Sequence, residues 1–142
     1  MGKYKQIPIN LIYVKDSDEK INIRKHPYYL CLKNKDQHVY QKFIKNTNRV
    51  QQRKKSGTWK GFLKLVTSIH REGYQYDKYD PLVIKEYGSR YIAKHGRHRT
   101  CILAYLYGVD GVFIAKKQSN EKYHIVGAKL SYANVHTHQR IR

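Results

Sequence analysis

Acidic side chains are scarce in this sequence. Its 142 residues hold 10 Asp and Glu against 29 Lys and Arg, a formal charge of +19. That imbalance works against a compact state by self-repulsion unless a polyanion or salt screens it. Nucleic acid is the polyanion that fits best, because every phosphate contact releases condensed counterions. An anionic membrane surface comes second. The shortage also removes chemistry. No DxD or ExK arrangement is strong enough to claim the converging carboxylates of a two-metal nuclease. Cysteine is equally sparse: Cys31 and Cys101 stand without CxxC spacing, and nothing calls for an oxidising compartment. Long apolar runs are missing, so no segment approaches membrane-spanning length. The start MGKYKQIPIN lacks an apolar signal core, and Gln6 breaks the myristoylation pattern. No internal repeat and no low-complexity tract is found. The expectation is a soluble, cytoplasmic protein. Hydrophobic residues make up 40% of the chain, which argues against wholesale disorder, and the length fits one domain over 1–142.

Several elements can be read from periodicity. Residues 4–14 (YKQIPINLIYV) alternate at Ile7, Ile9 and Leu11 as a strand would, and the DSDEK that follows reads as a polar turn. HPYYLCL (26–32) reads as a short extended piece. Val39, Tyr40, Phe43 and Ile44 fall at helical spacing within 36–46, with Asp36 as N-cap. A basic, apolar-poor stretch, 47–57, reads as a connector. Thr58 caps a helix striped by Trp59, Phe62, Leu63, Val66 and Ile69, and Gly73 ends it. A loop rich in tyrosine leads to Pro81 and a strand over 82–85. Glu86 to Ser89 form a hairpin turn, and 90–94 return antiparallel. Arg97 to Tyr107 read as a buried helix stopped by Gly108, with strands over 112–115 and 123–126 and a basic tail over 129–142.

The corner Lys94-His95-Gly96-Arg97-His98-Arg99-Thr100 carries the densest chemistry. A glycine between a strand and an apolar helix leaves helix N–H groups and their partial positive charge open to an anion, and arginine adds forked donors for the same oxygens. Phosphate contact is therefore expected from Gly96, Arg97, His98, Arg99 and Thr100. The alternative for Arg97 and Arg99 is a salt bridge to nearby acids, although most arginines in so basic a chain must lack a carboxylate. His98 can equally hold the loop from a buried position. Candidate acid, base or metal-binding groups are His95, His98, Asp80 and Glu72. Asp77 and Glu86 also lie near in sequence. Tyr74, Tyr76 and Tyr79 can stack on bases, and Arg49, Arg53, Lys54 and Lys55 can track a backbone; core packing and a plain solvated loop are the respective alternatives. The pair His136 and His138, or Cys31 with His26 and His38, lacks standard zinc spacing.

Read in order, Ser68-Ile69-His70-Arg71-Glu72-Gly73, Pro81-Leu82-Val83-Ile84, Gly88, Tyr91-Ile92-Ala93, His95-Gly96-Arg97-His98-Arg99, Ala104 and Gly108 resemble the ParB/sulfiredoxin-like superfamily. The resemblance covers 62–115 and, loosely, the Ile7–Ile9 strand. It implies a small α/β (α+β) fold, a mixed sheet with helices packed on it, and a phosphate-binding corner at Gly96 to Arg99. Members include DNA partition proteins that use CTP, ParB-like nucleases, sulfiredoxins that use ATP, and free-amino-acid kinases, so fold leaves the chemistry open. Sulfiredoxins carry a corner cysteine where this chain has Arg97, and Cys101 cannot replace it. Partition proteins carry GxRRxxA and a downstream helix-turn-helix domain. Here His98 replaces the first arginine, and the stretch after Ala115 is too short for that domain. The chain looks more like stand-alone members from phage and mobile elements. The expected function is a nucleic-acid-binding domain, with DNA as the favoured partner, nuclease or NTPase activity left open, and a nucleoside triphosphate with Mg²⁺ as the implied cofactor. A nucleotide-dependent phosphotransferase and a non-enzymatic basic interaction or inhibitor protein are the alternatives.

Overall fold

The computed structural model describes residues 4–16, 18–46, 58–76 and 81–130. Seven strands form one mixed sheet: β1 (Tyr4–Pro8), β2 (Ile12–Asp16), β3 (Glu19–Asn22), β4 (Val83–Tyr87), β5 (Arg90–Ala93), β6 (Val112–Ser119) and β7 (Lys122–Lys129). Their spatial order is β1-β6-β7-β4-β5-β2-β3. Among the described strands, β2 and β5 form the parallel pair, with Ile12 opposite Tyr91 and Val14 opposite Ala93; the other pairings are antiparallel. Four helices accompany the sheet: α1 (Pro27–Lys33), α2 (Gln37–Asn46), α3 (Trp59–Glu72) and α4 (Arg97–Tyr107). This is the small α+β fold expected. Among the described residues, no helix is long and apolar enough to cross a membrane.

The helices cover one face. Period-2 alternation turns Ile7, Val14, Ile84, Ala93, Phe113 and Ile125 inward, and these join Tyr28, Tyr40, Phe62, Ile102 and Leu103 in a single core. The local signals work as read for α3, where Thr58 Oγ1 accepts from Gly61 N–H at 3.0 Å and Gly73 adopts φ +79°. Asp36 likewise accepts from His38 N–H at 3.0 Å at the start of α2. The β4–β5 hairpin is antiparallel as expected, but Glu86 and Tyr87, read as part of its turn, belong to β4, and Tyr87 pairs with Arg90.

Other readings fail. The first strand breaks after Pro8 into a 3-10 turn, Ile9–Leu11, before β2. DSDEK is not only a turn: Asp16 ends β2 and Glu19 opens β3. HPYYLCL is helix α1, since Pro27 at the first helical position is preorganised for a helix and the His26 ring caps it. The basic tail also begins later than read, because Lys129 still belongs to β7. The connector 47–57 and residues 131–142 lie outside the described residues.

Both thiols are buried. Loss of solvent pushes Cys31 up to about 12 and Cys101 well above its usual value. A thiol that stays protonated is a poor nucleophile. Folded protein at pH 8 is expected to leave Ellman's reagent unreacted, and both cysteines should react once denaturant is added. Rapid labelling of the folded chain would contradict this packing.

Candidate functional site

The corner sits where β5 leaves the sheet. Ala93 is held between Val14 of β2 and Ile84 of β4, and the chain turns through exposed Lys94 and His95 into Gly96. Gly96 is left-handed, φ +65° and ψ +38°, and is the N-cap of α4. Glycine is required on two grounds. L side chains rarely adopt that backbone, and a Cβ there would overlap Leu82 Cδ2 and lie 3.3 Å from Arg99 Nη2. Gly96 brings no side chain of its own to cap the helix, so α4 opens at this corner with the partial positive charge of its N-terminus.

Thr100, expected in the phosphate set, lies inside the first turn. Its hydroxyl is fully buried and donates back to Gly96 O at 2.8 Å, while its N–H meets the same oxygen at 2.9 Å. It closes the first turn and does not face outward.

Arg97 makes the salt bridge that was the alternative for it. It points inward to the end of β2. Its Nε lies 3.4 Å from Asp16 Oδ1 and its Nη1 donates to Lys15 O at 3.2 Å. Asp16 is 4% exposed and its other oxygen meets His26 Nε2; His26 is fully buried. Tyr28 N–H donates to His26 Nδ1 at 3.1 Å. A backbone N–H can only donate, so Nδ1 carries the lone pair and the ring proton sits on Nε2, aimed at Asp16. One run of bonds thus ties the start of α1, the end of β2 and the start of α4. Charge counting said most arginines lack a carboxylate, and it missed that Arg97 has a buried one. A signal was there: Ile12, Val14 and Asp16 share a strand face, so alternation carries the carboxylate inward.

His98 takes the packing role held open for it. Its ring stacks on Tyr28 at 4.2 Å and 21°, meets Phe62 edge-on at 5.2 Å, and its Nε2 lies 3.3 Å from Tyr40 Oη. The ring belongs to the aromatic packing between α4 and helices α1 to α3. Arg99, by contrast, lies across the corner beside Gly96, half-buried, with Nη1 donating to Tyr74 Oη at 3.1 Å. The corner therefore gathers His95, Gly96, Arg99 and Tyr74.

Other expected members lie elsewhere. Glu72 is exposed at the end of α3, against Ser68 and Arg71 of its own helix. Glu86 accepts from Tyr123 Oη at 2.8 Å and pairs with Lys5 at 3.6 Å, opposite Tyr91 at the far end of β5. Tyr76 packs on His124 of β7. Asp77, Asp80, Tyr79, Arg49, Arg53, Lys54 and Lys55 lie outside the described residues, as do His136 and His138. Among the described residues, no group of three His, Cys, Asp or Glu could hold a metal ion.

No protein-family model matches this chain, and no curated protein or solved structure matches it either.

Proposed function

We propose that the protein is a ParB-like nucleic-acid-binding domain whose β5–α4 corner takes a phosphate group, from a nucleotide or from a nucleic-acid backbone. The observation that carries this reading is the corner itself. Left-handed Gly96 opens α4 with no side chain of its own at the N-cap, and Arg99 and His95 stand beside it. Backbone N–H groups and the helix dipole favour an anion there, and the +19 charge favours a polyanion. The parallel neighbours β2 and β5 supply further support, since ligands of open sheets gather at the carboxyl ends of such strands.

Binding is favoured over phosphoryl transfer or hydrolysis. Asp16 is the acid that reaches the corner among the described residues, and it is engaged by His26 and Arg97. A base or a Mg²⁺ ligand would have to come from another carboxylate, with Asp80 the sequence candidate.

Two assays run together test the reading: thermal shift with nucleotides with and without Mg²⁺, and a duplex DNA gel shift over a salt series. A ligand at a hundred times its Kd stabilises the native state by about 2.7 kcal/mol. Arg99→Ala is expected to weaken whichever ligand binds by about tenfold, in line with loss of one charge-assisted contact. His95→Ala should weaken it less. If Arg99→Ala and His95→Ala leave nucleotide and duplex binding untouched, the corner is not the phosphate site.

A further inference from the structure

The face of the sheet away from the helices is basic and aromatic, and among the described residues its strands present no acid there. Alternation and pairing put Lys15, Lys20, Lys85, Arg90, Lys116 and Lys122 on it. The strand acids Asp16, Glu19 and Glu86 all alternate to the helix side. Aromatic rings sit among the cations. Arg90 lies over Tyr13 at 5.0 Å, and Lys20 over Tyr87 at 5.4 Å. Tyr4 and Tyr87 are 63% and 51% exposed.

At one edge the features converge. Tyr4, Lys116 and His124 form a cross-strand row over β1, β6 and β7. Tyr76 meets His124 edge-on at 6.1 Å. Together with Gln118 and Val126 these residues line a cavity of about 240 Å³. His124 Nε2 is shielded from solvent and has no hydrogen-bond partner among the described residues. A buried polar atom without a partner asks for one. The volume falls below the roughly 300–1,000 Å³ of a drug-sized pocket, so it suits one ring system while the rest of a ligand lies outside.

We infer that this face is a platform for single-stranded nucleic acid, with one base seated among Tyr4, Tyr76 and His124 and the backbone phosphates lying on Lys116, Lys85 and Lys122. Charge selects a polyanion. The exposed rings select a single strand, because stacking needs open base faces that a duplex hides. The inference rests on the reading of the protein as a nucleic-acid binder but uses none of the corner residues.

The test is fluorescence anisotropy of the full chain with labelled short oligothymidine and with a duplex of equal length. The single strand should bind more tightly. Tyr4→Ala, at an exposed edge position, should raise its Kd by between about 5- and 150-fold, the range for one lost stacked base. Lys116→Gln should flatten the plot of log K against log salt by about 0.7, one phosphate's share on a single strand. Photo-crosslinking of iodouracil-containing oligonucleotide should label peptides carrying Tyr4 or Tyr76, a readout that needs no variant. If Tyr4→Ala and Lys116→Gln bind as wild type while Arg99→Ala does not, the platform is wrong and the corner stands. If Arg99→Ala retains binding that Tyr4→Ala loses, the platform stands without the corner. Duplex preference, or binding to phosphatidylserine vesicles with no binding to the oligonucleotide, overturns the platform.

Discussion

Gly96→Ala should lower the unfolding free energy by about 2–4 kcal/mol. Left-handed backbone costs a non-glycine residue roughly 1 kcal/mol. Overpacking adds about 1–3 kcal/mol when the neighbour cannot give way. That neighbour is Leu82 Cδ2, on a residue only 1% exposed, just ahead of β4 and packed in the core. At about 3–4 °C per kcal/mol for a chain of this size, the melting temperature should fall by roughly 10 °C. Gly88→Ala is the internal reference. Gly88 has φ +63° but nothing within 4 Å of an added Cβ, so only the backbone cost applies there. Leu82→Ala in the Gly96→Ala background should cost less than the two changes added together, because it removes the atom the new Cβ meets. Urea titrations of the four variants measure all of this. A Gly96→Ala cost no larger than that of Gly88→Ala would mean that Leu82 does not crowd the corner.

The elements legible in the sequence are those whose signals are local. Thr58, the stripe through Phe62 and Ile69, and Gly73 specify α3 without help from the rest of the chain. The β4–β5 hairpin and the glycine corner are legible for the same reason, since backbone geometry there has one residue-level solution. What escaped depends on partners distant in sequence. Helix α1 is a run of aromatic and β-tolerant residues, and its cap is a histidine ring held by a strand carboxylate ten residues earlier. β3 has little apolar character and exists because β2 offers it an edge. The candidate site was half legible. Gly96 and Arg99 follow from the motif, but composition alone cannot tell which of two neighbouring arginines finds the buried carboxylate. Roughly half a helix turn decides it: Arg97 starts α4 over the end of β2, and Arg99 is rotated toward Tyr74.

Asp16→Ala should be among the most damaging single changes in the molecule, costing about 3–5 kcal/mol. Removing one member of a buried charged pair leaves the other buried without compensation. Here the loss strands two groups, the Nε2–H of a fully buried His26 and the inward edge of Arg97. His26 also caps α1 through Tyr28 N–H, so a ring that loses its anchor weakens the helix start as well. Asp16→Asn keeps one acceptor oxygen, enough for His26 or Arg97 but not for both, and should fall in between. Arg97→Leu should cost less than Asp16→Ala, because Arg97 is 24% exposed and water can solvate part of what is left. Its aliphatic replacement also keeps packing over β2. A double-mutant cycle between Asp16→Asn and Arg97→Leu should return a coupling of roughly 1–3 kcal/mol. Additive costs, or an Asp16→Ala penalty under about 1 kcal/mol, would show that the bonds joining α1, β2 and α4 do not hold the corner. The order of effects also separates the two arginines. Arg97→Leu should move the urea midpoint and leave the affinity of the remaining folded protein nearly unchanged, whereas Arg99→Ala should do the reverse. A positioning residue and a ligand-binding residue two places apart are thereby told apart by two ordinary measurements.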